Sequence, residues 1–277
     1  MKKFLAVLIT GVLIFSISSE LINAQEISVT PKKNKAFFGI DVSGSFDLPL
    51  MDLSGSDIGG FWTFSNYGVS TGFGTSVNVK MSVFNTKMTQ LRTYLTLGYT
   101  QFTNSDNLAY TVGVAQYGWP NINNKPFYPI PTKGESSIRI NMPNIAVGME
   151  YAVYLDRGNR SAFNFSGDFT VHDITGRIYE TVGTSGETFN TISPSLRFGF
   201  GASVVYSYRF EDAVGFHVGT RFVLPNFLGK TSEVTNEPGY VSLMDKGNAV
   251  INPMLISGRT MAYLNFFTGM SFYIGKK

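Results

Sequence analysis

The chain has 277 residues with 29 Gly, 24 Phe, 14 Tyr and no Cys, and its 22 basic and 19 acidic side chains leave a net charge of +3. The lack of cysteine excludes a disulfide frame, a thiolate metal site and a lipidated N-terminal cysteine. The charges are scattered rather than gathered into a basic stripe, so nucleic acid is not an expected partner.

The chain opens with Lys2 and Lys3, an apolar run from Phe4 to Ile17, and a polar stretch ending Ile22-Asn23-Ala24, the three parts of a secretory signal. That apolar run falls short of the ~20 residues a spanning helix needs. Residues 1–24 are therefore predicted to be a signal cleaved after Ala24, and residues 25–35 a short periplasmic tail. No later apolar run reaches ~18 residues, so residues 36–277 predict a single all-β domain.

Eight alternating segments follow. The first carries Phe38, Ile40, Val42, Phe46 and Leu48 on one face. In the second, Tyr67, Val69, Thr71, Phe73, Thr75, Val77, Val79, Met81 and Val83 alternate with Gly68, Ser70, Gly72, Gly74, Ser76, Asn78, Lys80 and Ser82. Period two over such a length exceeds the ~5–6 residues of an ordinary strand. It suits a tilted strand crossing a bilayer, which takes about 9–11 residues plus interfacial ends. The remaining apolar faces run Leu91 to Tyr99, Ile145 to Leu155, Phe163 to Val171, Leu196 to Phe210, Val214 to Leu224 and Leu264 to Ile274, and none carries a charge.

All strand charges occupy the opposite register. Asp41, Lys80, Arg92, Glu150, Asp168, Arg209 and Arg221 are the expected lumen network, with Asp47, His172, Arg197 and His217 beside them. An isolated ion among packed side chains is costly, so these groups are expected to pair. Arg221 should meet Glu150 or Asp168, while Lys80 and Arg92 should face each other across the first tight turn and need an acid such as Asp41.

Connection lengths alternate. Links of about Pro49 to Asn66, Thr103 to Asn141, Ile174 to Pro194 and Pro225 to Gly258 are long, whereas Phe84 to Met88, Asp156 to Arg160 and Glu211 to Ala213 are tight. Short periplasmic turns and long outer loops mark transmembrane barrels. The predicted fold is an eight-stranded antiparallel up-and-down transmembrane β-barrel with both ends of the chain periplasmic.

The closing Phe266-Phe267-Thr268-Gly269-Met270-Ser271-Phe272-Tyr273-Ile274 resembles the aromatic, alternating last strand of the small outer-membrane β-barrel family of the OmpA/OmpX type. Members commonly end on an aromatic residue, whereas Gly275-Lys276-Lys277 follows here. The resemblance covers the chain from about Ala36 onward. It implies residence in the outer membrane, outer-membrane lipid and the barrel-insertion machinery as partners, and no single activity, since the family spans adhesion, structural, transport and lipid-modifying roles.

An eight-stranded lumen is filled by side chains, and Tyr94, Phe102, Tyr154, Tyr263, Phe267 and Tyr273 supply them here. Ser166, Asp168 and His172 share the inward face of one strand, but Asp168 and His172 are roughly 13 Å apart along it, beyond hydrogen-bond reach. No catalytic residue, metal site or cofactor is expected. Trp62, Tyr117, Trp119, Phe127 and Tyr128 are the candidate loop contacts, with interfacial or loop-packing roles as the alternative. The leading expectation is a monomer with a structural or surface-interaction role exerted by its long loops on an extracellular or envelope ligand. The alternatives are a narrow small-solute channel and a lipid-modifying outer-membrane enzyme.

Overall fold

The computed structural model describes residues 36–110, 131–182, 187–233, 235, 237–248 and 257–276. The signal and tail expected over residues 1–35 lie outside the described residues. The strands are β1 (Ala36–Met51), β2 (Thr71–Asn85), β3 (Thr89–Ala109), β4 (Thr132–Tyr154), β5 (Ser161–Val182), β6 (Glu187–Arg209), β7 (Val214–Leu228), β8 (Tyr240–Val241) and β9 (Met261–Lys276), and one short helix, α1 (Gly59–Trp62), lies between β1 and β2. Each long strand pairs antiparallel with its chain neighbours. The ring closes where β1 pairs with β9, and β9 also pairs with β7. The two-residue β8 lies outside this ring of eight and runs parallel to β6 through Thr191 and Ile192. A closed ring leaves no unpaired edge, the condition for burying a sheet in lipid.

The ring shows an apolar belt. Phe73, Leu97, Val147, Met149, Phe169, Phe200, Val218 and Phe272 are all exposed, and inward neighbours such as Asp41, Lys80, Glu150 and Asp168 are buried. Ladders of Phe on neighbouring strands, for instance Phe169 edge-on to Phe200 with ring centroids 5.7 Å apart, extend the belt sideways. Ala36 pairs with Lys276, so the two ends of the barrel chain emerge together at the tight-turn end.

Two expectations need correction. The second strand begins at Thr71 rather than Tyr67. Gly68 takes φ +68°, which breaks the extended backbone, and Tyr67 and Val69 turn inward and are fully buried instead of facing lipid. A Cβ on Gly68 would also stand 2.8 Å from the Asp57 carbonyl oxygen, so both conformation and space call for glycine.

The strands β3 to β6 are also longer than their apolar faces. The links expected from Thr103 to Asn141 and from Ile174 to Pro194 are largely ladder: β3 runs on to Ala109, β4 starts at Thr132, β5 reaches Val182 and β6 starts at Glu187. The alternation continues there with its polarity reversed. On β5, Val171 faces out and His172 is buried, whereas above them Asp173 and Arg177 are exposed and Ile174 and Ile178 are buried. On β4, Ile145 faces out, and above it Arg139 is exposed while Ile138, Ile140 and Met142 are buried. Beyond the belt the surroundings are water, so the physics becomes that of a soluble sheet with polar residues outside and apolar ones within.

Candidate functional site

The interior divides into two parts at about the level of this reversal. Toward the tight-turn end it is a polar lumen. Lys80 Nζ sits 2.8 Å from Asp41 Oδ2 and 2.5 Å from Glu150 Oε2, and the other Glu150 oxygen accepts from Arg92 Nη1 at 2.8 Å. Arg92 further donates to Gln90 Oε1 at 2.6 Å and to the Tyr154 hydroxyl at 2.8 Å. One layer up, Arg221 Nη2 donates to Asp168 Oδ1 at 2.6 Å, and the Tyr94 hydroxyl donates to the other Asp168 oxygen at 2.7 Å. These six ions balance in charge and tie β1, β2, β3, β4, β5 and β7 across the barrel.

Arg221 therefore meets Asp168, while Glu150 lies a layer lower and serves Lys80 and Arg92. Lys80 and Arg92 are not direct cross-strand partners, since Lys80 pairs with Tyr94 and Ser82 with Arg92. A bulge between Ser82 and Phe84 shifts the register by one residue near the turn, an irregularity that alternation alone does not reveal. Arg209 is placed over the Tyr273 ring, 4.1 Å from its centroid, rather than within the carboxylate cluster.

His217 is held by two serines: Nε2 lies 2.7 Å from Ser43 Oγ and Nδ1 2.9 Å from Ser271 Oγ. Both ring nitrogens are thereby within hydrogen-bond distance of a serine hydroxyl. Ser166, Asp168 and His172 are not brought together. Ser166 bonds Ser203 at 2.6 Å and His172 bonds Thr170 at 3.0 Å. Two cavities of about 70 and 20 Å³ lie in this lumen, each large enough to hold water, which needs about 10–15 Å³ of such space.

Toward the long-loop end the interior is dominated by an apolar cluster. Phe61, Trp62, Tyr67 and Val69 from the first long link, Leu243 from the fourth, and Phe102, Ile140, Ile174, Ile192 and Tyr263 from the barrel wall form one buried cluster. Phe102 and Tyr263 meet edge-to-face at 5.3 Å where this cluster borders the polar lumen. Trp62, expected as a loop contact at the surface, is fully buried, and its indole donates to Glu180 at 3.2 Å. Tyr117, Trp119, Phe127 and Tyr128 lie outside the described residues.

The fourth link is pinned by charge. Arg197 of β6 donates twice to Asp245, at 2.8 Å from both Nε and Nη2, and Asn226 and the Thr231 backbone amide also bond this carboxylate. Arg259 stacks 4.0 Å over the Tyr67 ring and donates to the Asn66 carbonyl at 2.9 Å and to the Leu243 carbonyl, so it clamps the first link to the fourth. Burial lowers the Arg259 pKa from its ordinary value, with the Tyr67 and Asp245 side chains opposing that shift. Asp245 and Arg259 escaped the sequence reading because both lie in links, where no periodicity singles out an inward charge.

No family model matches the chain, and no curated protein matches it. Among solved structures, Neisserial surface protein A is similar over 86% of this chain and 98% of its own, at 11% identity and a TM-score of 0.39. The attachment invasion locus protein Ail of Yersinia pestis is similar over 85% of this chain and 99% of its own, at 5% identity and a TM-score of 0.34. The outer membrane protease OmpT from Escherichia coli covers 90% of this chain and 99% of its own, at 11% identity and a TM-score of 0.37. Such likeness concerns the fold alone.

Proposed function

We propose that the chain is an outer-membrane barrel with a closed lumen, acting as a structural or surface-interaction protein through the face that carries its long links. The observation that carries this reading is the stacking of an apolar seal on a neutralised polar lumen. A solute would have to pass the Phe102 and Tyr263 contact and then the Lys80, Glu150 and Arg92 cluster, and these two obstructions support the closed-lumen reading. The belt supports membrane insertion: Phe163 to Val171 spans nine residues, within the about 9–11 that a tilted strand takes to cross a bilayer's hydrocarbon. With the tight turns periplasmic, the seal and long links stand outside the cell.

Two measurements test this. Boiled and unboiled samples of refolded protein should migrate differently on a detergent gel. In a planar lipid bilayer, the protein should add no conductance steps. Stable single-channel steps from a homogeneous preparation would sink the closed-lumen reading in favour of a narrow conduit.

A further inference from the structure

Arg139 and Arg177 stand directly opposite each other on β4 and β5, both side chains exposed on the outer surface of the barrel. Like charges directly across an antiparallel pair repel and destabilise it. Among the described residues neither arginine joins an ion pair, and the one hydrogen bond between them and their surroundings is a long 3.5 Å contact from Arg177 Nη1 to the Tyr179 hydroxyl.

Among the described residues, the rows beside them carry hydrogen-bonding side chains and no acid. Thr103 pairs with Arg139 and Thr191 with Arg177, so the row across four strands reads Thr, Arg, Arg, Thr. The row above is Ser105, Ser137, Tyr179 and Phe189, and the row below includes Gln101, Asn141 and Thr175. The nearest outward acids on these two strands, Glu135 and Asp173, are each four residues from their arginine, about 13 Å along the strand. Beside Arg139 an open hollow of about 390 Å³ is lined mostly by residues that carry a hydroxyl, Ser70, Thr71, Thr103, Ser105, Ser137 and Tyr179. Tyr179 and Phe189 flank the same surface, their ring centroids 6.3 Å apart.

Height selects the ligand. Thr103, level with both arginines, is four residues above Tyr99, the last aromatic of the belt on β3. That is about 13 Å along a tilted strand, and the long arginine side chains can reach down from there to a membrane's headgroup layer.

We propose that Arg139 and Arg177 clasp a phosphate-bearing, hydroxyl-rich headgroup, with the hollow and the Tyr179 and Phe189 rings holding its sugar-like part. Two guanidinium groups suit phosphate because their planar donors pair with its oxygens, and the bound anion cancels the repulsion that the bare pair carries. The same chemistry could come from a phosphorylated glycolipid in the outer leaflet or from a soluble sugar phosphate. The assignment to a leaflet rests on the membrane orientation proposed above.

The test uses the full chain refolded in neutral detergent. The probes are a lipid bearing a phosphorylated glucosamine disaccharide, its dephosphorylated form, and soluble glucose 1-phosphate, each read by the shift in unfolding temperature. The phosphorylated lipid should raise the midpoint and the dephosphorylated form should not. Arg139→Gln with Arg177→Gln should lose that shift, with a roughly tenfold or greater loss of apparent affinity. Arg157→Gln, an exposed cation in a tight turn, should retain it. An equal response to glucose 1-phosphate would assign the same site to a soluble ligand. An undiminished shift in the double variant, or one independent of the phosphate, would overturn the proposal. Gel mobility of unboiled samples reports insertion separately, so a barrel that fails to insert is not mistaken for one that fails to bind.

Discussion

Arg197 and Asp245 are 48 positions apart in the chain and joined by two parallel 2.8 Å hydrogen bonds, with both side chains almost wholly buried. Since the Asp245 carboxylate also accepts from Asn226 and Thr231, it is the node on which the fourth link folds back into the barrel. Asp245→Ala should leave Arg197 as an uncompensated buried cation and cost about 3–5 kcal/mol. Denaturant unfolding in detergent should show this loss, and limited proteolysis should cut the fourth link in the variant before the wild type. A variant as stable and as resistant as the wild type would mean that the node is dispensable.

The Arg221 and Asp168 pair makes a similar demand from within the lumen. Arg221→Leu strands the Asp168 carboxylate, whose side chain is 1% exposed, and leaves the Tyr94 hydroxyl donating to it. Lys246→Leu changes an exposed side chain in the fourth link. The lumen variant should lower the unfolding midpoint clearly more than the link variant, which should stay within about 0.5 kcal/mol of wild type. Equal effects would deny the lumen pair its structural role.

What could be read from the chain alone was the part governed by lipid. Period-two alternation identified every long strand of the ring, because a residue facing hydrocarbon cannot be charged and its neighbours supply the only polar register. The same rule hid the upper walls of β3 to β6. Asp173 and Arg177 point outward there, so a reader looking for an apolar outer face ends the strand at Val171. Tyr67 and Val69 misled in the opposite sense. They continue the apolar phase of β2 in sequence, yet Gly68 at φ +68° turns them into the seal. The lumen charges were legible as a register, but Glu150 choosing Lys80 and Arg92 over Arg221 depends on strand stagger and on the bulge at Ser82, which side-chain types do not encode.

The seal should be breachable. Phe102 and Tyr263 are buried and in edge contact at the border of the lumen, and truncating either aromatic in a packed interior typically costs about 3–5 kcal/mol. Phe102→Ala combined with Tyr263→Ala should give a less stable barrel that still shifts on a detergent gel. It should also conduct ions or swell proteoliposomes in a small osmolyte more than the wild type does. An inserted double variant that remained silent would place the barrier elsewhere, in the charge layer around Lys80.

Acid should loosen the tight turn between β4 and β5. Burial pushes the Asp156 carboxyl up, but hydrogen bonds from the Ser161 amide and hydroxyl and the Arg160 amide outweigh it and hold the group below its ordinary value of 3.8. Its oxygen Oδ1 accepts from the Ser161 amide at 2.7 Å and from the Arg160 amide at 2.9 Å. A depressed folded-state pKa gives stability that is present above the unfolded value and lost as pH falls through the folded one. Wild type should therefore lose a small increment of stability below about pH 4, and Asp156→Ala should lack that increment at neutral pH and show a flatter acid limb. Parallel acid limbs in the two proteins would contradict this reading. The group is only partly buried and sits in a turn, so the effect should be modest and salt-sensitive.

The outer face is where an interaction with a partner can be sought without disturbing the seal. A replacement spanning the whole interval between the apolar faces of β3 and β4 would remove Ile138, which is buried in the sealing cluster, and Arg139 of the proposed clasp. The pairs Leu108 with Lys133 and Ala109 with Thr132 bring the two strands together at the far end, so a change limited to residues 111–130 leaves this ladder intact. Substituting that interval with a short Gly/Ser turn should preserve heat-modifiability and the unfolding midpoint to within about 1 kcal/mol, because the β3–β4 ladder and its closing pairs are retained. Any cell-adhesion or pull-down activity of the native protein should fall sharply in this variant. If such activity survived the replacement and disappeared only when Arg92 or Glu150 was neutralised, the interaction would run through the lumen, and the surface-interaction function proposed for the long links would be wrong.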